Sequence, residues 1–307
     1  MSRSTLKSID KAATRRATED AIIAQRRSGR PPKIGFPWGK TFHYLYCSLS
    51  YIFLLSPMIV VIGASLHGGE YYTAIKFPPD DPSFRWYAEI PRTQLEALGL
   101  SFALAGAAAV GACVIGIPAA LGIVRGKLPG KTFISTVFRA PLQIPAIVTG
   151  IAFLQLFYLV GDATGIYIQG TFWGLYLGHV FVATPFVVGT VTAILQRFDM
   201  RLEEAAFSLG ASRWSTFWRV TLPVIKPGVY AGALYAFMVS FGDVPISIFL
   251  TAPGYVTYPI EMFYALENDF DPSILASASL VIFFCLLALL SVQKLVGLDT
   301  LLRSGSR

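Results

Sequence analysis

The chain has 307 residues, of which 54% are hydrophobic and 14% charged, with a mean hydropathy of +0.58 and a formal net charge of +7. Soluble domains carry about a quarter of their residues as Asp, Glu, Lys and Arg, so most of this chain has no water to face and an ordinary soluble fold is excluded. Three cysteines (Cys47, Cys113, Cys285) and three histidines (His43, His67, His179) are widely separated. They offer neither a disulfide framework nor a metal-ligand pair, and the cysteines read as small hydrophobes inside helices.

In chain order, residues 1–40 come first, with ten Lys/Arg and three acids. No apolar core follows the first charges, so the segment does not read as a signal peptide. Its composition suits a flexible arm, either resting on anionic headgroups or serving as an orientation signal. Six apolar stretches follow, at about Phe42–Leu66, Leu98–Val124, Phe133–Val160, Thr171–Leu195, Gly228–Leu250 and Ile274–Val296. Each can cross about 30 Å of hydrocarbon as a helix. The expected fold is all-α and polytopic: a six-helix membrane domain over 41–298 and a short tail over 299–307. Prolines inside these stretches (Pro57, Pro118, Pro145, Pro185, Pro245) are tolerated where neighbouring helices satisfy the freed carbonyls.

Lys and Arg divide 22 to 3 between alternate sides of these spans. The positive-inside rule then puts both termini and the 199–227 segment in the cytoplasm, which agrees with an even number of spans. Acids run the other way: Glu70, Asp80, Asp81, Glu89, Glu96, Asp162, Glu261, Glu267, Asp269 and Asp271 all fall outside. Attraction of a cationic solute or a basic docking patch and plain solvated loop charge are both open readings. Along the second span, Gly106, Ala109, Gly111, Ala112, Gly116 and Ala120 form a small-residue run, which predicts a central helix with close neighbours. Trp86, Trp173, Tyr71 and Tyr167 fit an interfacial aromatic belt.

Between the fourth and fifth stretches lies the polar segment Asp199–Pro227, DMRLEEAAFSLGASRWSTFWRVTLPVIKP. Leu202, Ala205, Ala206 and Leu209 recur at helical spacing. Gly210 suits the left-handed residue that ends a helix, Ser212 suits the N-cap of a second one, and Leu222-Pro223 with Pro227 is expected to stop that helix before the next span. The spacing Glu204-Ala205-Ala206, three residues, Gly210, nine residues, then Val220, Thr221, Leu222 and Pro223 resembles the EAA loop of the permeases of ABC importers. The family more often has Ile where Val220 stands. From Phe42 to Val296 the chain is similar to the second permease of spermidine/putrescine importers. Phe84-Arg85-Trp86-Tyr87, Pro185-Phe186-Val187-Val188, Asp243 and Phe249-Leu250-Thr251-Ala252-Pro253-Gly254 add to that likeness; the long basic arm departs from it.

The resemblance implies a type I importer permease in the bacterial inner membrane. Its partners would be two ATP-binding subunits, a second homologous permease and a periplasmic binding protein. It implies that the loop is a coupling helix seated in a cleft of the ATPase, with Glu204 pairing there, Ala205 and Ala206 packing closely, Gly210 permitting the turn, and Leu222 and Pro223 closing the motif. No cofactor is expected on this chain; ATP and Mg belong to the partner ATPase. The nearest approach to a P-loop, GFPWGKT at 35–41, has three residues between its glycines where four are needed. The implied solute is a polyamine, with aminoethylphosphonate, quaternary amines and opine-like compounds as alternatives; an intramembrane enzyme or a channel leaves the EAA loop unexplained.

Asp243 lies in the apolar run Ser240-Phe241-Gly242-Asp243-Val244-Pro245. An ionisable group at membrane depth is a functional candidate, here as a pathway carboxylate for a cation. A structural carboxylate bonded to neighbouring backbone is the other reading. His179, Gln143 and Asp162 are weaker candidates.

Overall fold

The computed structural model describes residues 37–69, 77–127, 129–268 and 272–296. Residues 1–36 of the expected basic arm, the terminal tail, and Glu70, Tyr71, Asp269 and Asp271 lie outside these, whereas residues 37–40, expected as part of the flexible arm, are the start of a helix. The described residues are helical, with two isolated β-bridges, His67 to Pro82 and Ala252 to Tyr255. In order the helices are α1 (Pro37–Ala64), α2 (Arg85–Ala88), α3 (Arg92–Arg125), α4 (Lys131–Arg139), α5 (Ala146–Thr164), α6 (Phe172–Leu195), α7 (Arg201–Ser208), α8 (Arg213–Thr216), α9 (Leu222–Phe241), α10 (Ser247–Leu250), α11 (Tyr258–Asn268) and α12 (Ser273–Val296). A 3-10 turn, Ala140–Leu142, follows α4, and a π turn, Phe217–Thr221, joins α8 to α9. Six of these segments are long and apolar enough to cross a membrane: 42–64, 92–125, 146–164, 172–195, 213–241 and 273–291.

The described residues divide into two units, one up to Pro57 and one from Met58. The described part of the first is the beginning of α1, where Phe42, Leu45, Ile52 and Phe53 are exposed. Lipid tails are as apolar as leucine, so such a face is at home in a bilayer. Residues 37–41 of the P-loop-like stretch are helical, part of α1.

Three boundaries differ from the sequence expectation, each because of proline. The stretch read as a third span from Phe133 is two elements, since Pro145 lacks an N–H and pushes Ile144 out of the helical region. The membrane helix starts at Ala146, and α4 is a separate short helix carrying Lys131 and Arg139. The expected stop at Leu222-Pro223 does not occur. Pro223 cannot donate to the carbonyl four residues back, and the chain accommodates it by widening: the Leu222 N–H reaches Phe217 O, five residues back. Pro223 then sits in the first turn of α9, where a missing donor costs nothing, and the helix runs on past Pro227. Finally, the fifth span ends at Phe241 rather than Leu250, and Pro245 lies in the break before α10.

The second unit packs around α6. In its apolar window 61% of residues are buried, against 33% in the second span, so α6 and not α3 is the central helix. The small-residue run of α3 does bring the two together: Ala105, Ala108, Ala112 and Ala120 are fully buried, while Val110, Val114 and Ile115 on the other side are exposed. Ala109, Ala112 and Ala120 share one core with Ala183, Val187, Val191 and Leu195 of α6 and Ile225 and Ala236 of α9. A Cβ placed on Gly116 would stand 2.9 Å from the Cβ and Cγ1 of Val187, whereas one on Gly106 would meet nothing within 4 Å. Gly116→Val is therefore expected to cost about 1–3 kcal/mol by overpacking, read as a lowered Tm of the detergent-solubilised protein. Gly106→Ala leaves Tm unchanged or raises it.

The aromatic stretch around α2 is internal structure rather than belt. Trp86 is buried at 6% exposure, with its Nε1 donating to His67 O at 2.8 Å. Tyr87 Oη lies 2.8 Å from Ser65 Oγ and 2.6 Å from Ser279 Oγ, which ties α2 to α12. Trp173 and Tyr167 are exposed, as a belt requires.

Candidate functional site

Two places gather the residues of interest. The first is the loop between the fourth and fifth spans. Asp199 Oδ1 accepts from the Arg201 N–H at 3.0 Å and starts α7. Gly210 ends it with φ +80°, and the Ala211 N–H returns to Ala206 O at 3.0 Å. Ser212 then caps α8 by accepting from the Ser215 N–H at 3.2 Å. A Cβ added to Gly210 would meet nothing within 4 Å, so its glycine identity is a backbone matter alone. Gly210→Ala should cost about 1–2 kcal/mol of left-handed strain, measured as a drop in Tm without any loss of packing.

The two adjacent glutamates of this loop have opposite surroundings, since neighbours on a helix point about 100° apart. Glu204 is exposed, as is Ala205, and Ala206 is half-buried. The Glu204 carboxylate bonds to no side chain or backbone group among the described residues. Both glutamates stand in the first turn of α7, where the helix dipole favours negative charge. Around Glu204 the loop shows a large apolar surface, with Leu209 89% and Trp214 71% exposed and Leu202, Phe207 and Trp218 also uncovered. Leu222 is half-buried and Pro223 exposed.

Glu203, which the motif does not single out, is the only buried residue of α7. Its Oε1 accepts from Arg125 Nη1 at 2.6 Å and from Thr221 Oγ1. The Arg125 guanidinium also lies 4.8 Å over the Phe198 ring. A sequence signal for this pairing existed only as a lone Arg at the end of the second span.

The second place is the break in the fifth span. Asp243 is 9% exposed, and its Oδ2 accepts from the Ile246 N–H at 3.1 Å, the Ser247 N–H at 2.9 Å and Ser247 Oγ at 3.1 Å. These bonds take up two N–H groups at the start of α10 that the break around Pro245 leaves without carbonyl partners. Behind them stands His179 of α6, fully buried, with Nε2 3.1 Å from Ser247 Oγ and Nδ1 2.8 Å from Ser240 Oγ. A carboxylate only accepts, so the Ser247 hydroxyl donates to Asp243 and its oxygen is left to receive a proton on His179 Nε2, with Nδ1 facing Ser240 Oγ. The chain of bonds joins α6, the end of α9 and α10. Asp243 Oδ1 has no hydrogen-bond partner among the described residues.

The weaker candidates stand apart from both places. Gln143 is exposed after the 3-10 turn. Asp162, in the last turn of α5, accepts from Tyr167 Oη at 2.9 Å, a bond that raises the phenol above its ordinary range. Of the described acids assigned outside, Asp80, Asp81, Glu89, Glu96, Asp162 and Glu267 are exposed, with Glu89 paired to Arg85 Nε at 2.8 Å.

Known proteins place this geometry. The chain is 32% identical over 254 residues to the putrescine transport system permease protein PotI of Escherichia coli K12, spanning 82% of this chain and 88% of that protein. It is 31% identical over 245 residues to the spermidine/putrescine transport system permease protein PotC of the same strain, spanning 79% and 89%. Among solved structures, a bacterial ABC transporter that imports the acidic polysaccharide alginate matches with a TM-score of 0.66 at 15% identity, covering 86% of this chain and 99% of that one. The MetNI methionine transporter matches with a TM-score of 0.52 at 18% identity, covering 73% and 100%. Those two likenesses establish the fold, that of an ABC importer permease. The family of binding-protein-dependent transport system inner membrane components matches residues 112–297, and with the six apolar helices this identifies the chain as a member of that family: a multi-pass permease component of an ABC importer.

Proposed function

We propose that this permease forms half of a translocation path for a polyamine or a similar small organic cation, driven by a separate ATPase seated on residues 199–227. The observation that carries the solute is the likeness, across four fifths of the chain, to permeases of putrescine and of spermidine/putrescine systems. The exposed outer-loop acids and the half-free carboxylate of Asp243 suit a cation. The loop supports an ATPase contact through its unpartnered Glu204 and the uncovered Leu209 and Trp214, because an apolar patch of this kind on a charged rim is an interaction surface. Both termini then lie in the cytoplasm with the loop, a placement that the 22 to 3 division of Lys and Arg supports. The partners are two ATP-binding subunits that hold ATP and Mg, a second homologous permease and a periplasmic binding protein; this chain itself carries no cofactor.

The experiment is ATP hydrolysis by the reconstituted complex, its binding protein loaded with spermidine, putrescine or a neutral solute. Stimulation by polyamines alone is the expected result. Hydrolysis that responds equally to the neutral solute removes the polyamine from the reading, and a purified permease that brings no ATPase with it removes the coupling role of the loop.

A further inference from the structure

We infer that Arg125 and Glu203 are the transmission joint of this permease, the point through which displacement of α7 reaches the second and fifth spans. The inference rests on the reading of 199–227 as an ATPase-driven lever. Both residues act through the helices they join, so they are positioning residues and not part of the ATPase contact.

Four observations converge on the joint. One carboxylate oxygen, Glu203 Oε1, ties together three elements: α7 that carries it, the last residue of α3 through Arg125 Nη1 at 2.6 Å, and the turn leading into α9 through Thr221 Oγ1. Phe198, just past the end of α6, lies under the same guanidinium at 4.8 Å. The ends of the second, fourth and fifth spans therefore meet at one ion pair.

Second, α7 has only 8 residues and buries a single one, Glu203. A helix so short does not hold itself together by its own hydrogen bonds. Its grip on the bundle passes through this carboxylate, while Leu202, Glu204, Phe207 and Leu209 face away. Third, Glu203 is 7% exposed, so the pair sits where water screens little. A link of that kind resists extension far better than a surface ion pair.

Fourth, the guanidinium is under-used. Among the described residues Arg125 Nε and Nη2, both buried, have no hydrogen-bond partner, and Nη1 alone is engaged. A purely structural arginine–carboxylate pair is commonly bidentate. Spare donors beside a single engaged one give the joint a second arrangement to move into when α7 is displaced, which is what a rigid-body switch needs.

The test uses the full complex, with its ATPase subunits and binding protein, in proteoliposomes, and reads solute moved per ATP hydrolysed. Arg125→Gln and Glu203→Gln are expected to keep the ATPase bound and hydrolysing while that ratio falls at least tenfold. Arg125→Lys, which retains the charge, should recover part of the ratio. The exchanged pair R125E/E203R should exceed either single reversal. Should R125Q fail to fold, Thr221→Val removes only the third arm and is expected to lower the ratio about threefold. An unchanged ratio in the folded variants, with uptake and hydrolysis falling together, makes the pair a mere staple and overturns the inference. Release of the ATPase by E203Q also overturns it, since Glu203 would then belong to the docking surface. Failure of the loop reading itself is distinguishable, because it appears in the unaltered complex as absence of an ATPase.

Discussion

Glu204→Lys is expected to abolish uptake while leaving the permease folded. The side chain makes no bond within the described chain and faces outward beside Leu209 and Trp214, so nothing internal is lost when its charge is reversed. Lysine is about as good a helix former as glutamate. Its positive charge in the first turn of α7 opposes the dipole by only about 0.3–1 kcal/mol. At the proposed ATPase contact, by contrast, a like-charge encounter costs several kcal/mol, about a hundredfold or more in the affinity of the two subunits. Copurification of the ATPase with a tagged permease and uptake into proteoliposomes measure the effect, and Tm in detergent checks the fold. Unaltered uptake would sink the ATPase contact at this residue. Glu203→Lys, one position away, should behave differently: it strands Arg125 beside a second cation in a buried place, and loss of a buried pair's partner typically costs 3–5 kcal/mol. The contrast between neighbouring glutamates separates docking from folding without any change in composition.

That contrast also marks the limit of what the linear sequence discloses. Hydropathy and the alternation of Lys and Arg are local or summed properties, so six spans and the loop between the fourth and fifth could be read directly. The turn at Gly210 and the cap at Ser212 were legible for the same reason, because each depends on its own φ or its own side chain three residues on. Which of two glutamates turns inward is decided by a residue 78 positions earlier, Arg125, and no spacing rule encodes that distance. The central place of α6 was hidden for a related reason. Its residues are β-branched and aromatic rather than small, and its enclosure comes from α3, α9 and α5 packing on it rather than from its own pattern. Prolines misled in both directions. Pro145 ended a helix as proline does, yet Pro223 and Pro227 were absorbed, one after a π turn and one inside α9. The outcome depends on whether neighbouring carbonyls find other donors, which is tertiary information.

Asp243→Asn is expected to lower cation uptake about tenfold while preserving the fold and the ATPase complex, and Asp243→Ala to lose the fold as well. The difference follows from the two oxygens. Oδ2 holds the break in the fifth span together, taking the N–H groups of Ile246 and Ser247 and the Ser247 hydroxyl. An asparagine carbonyl can accept the same three bonds, each weaker without the charge but none left unmade, and a neutral amide is cheaper to bury than a carboxylate, which offsets that weakening. Ser247 remains able to receive His179, so the link from α6 to α10 survives. Alanine instead leaves two buried N–H groups without an acceptor, at about 1–3 kcal/mol apiece. What asparagine cannot supply is the negative charge at Oδ1, the oxygen that no described group occupies. If that charge helps pass a cation, the loss is specific: uptake of a polyamine falls, whereas hydrolysis of ATP and the Tm change little. If Asp243 serves only to hold the start of α10, Asn and the native residue transport alike and the pathway role for Asp243 is wrong. A parallel measurement on His179→Gln separates the two further, because it breaks the support behind Ser247 without touching the carboxylate. A loss of Tm with uptake per folded molecule intact is the expected result there.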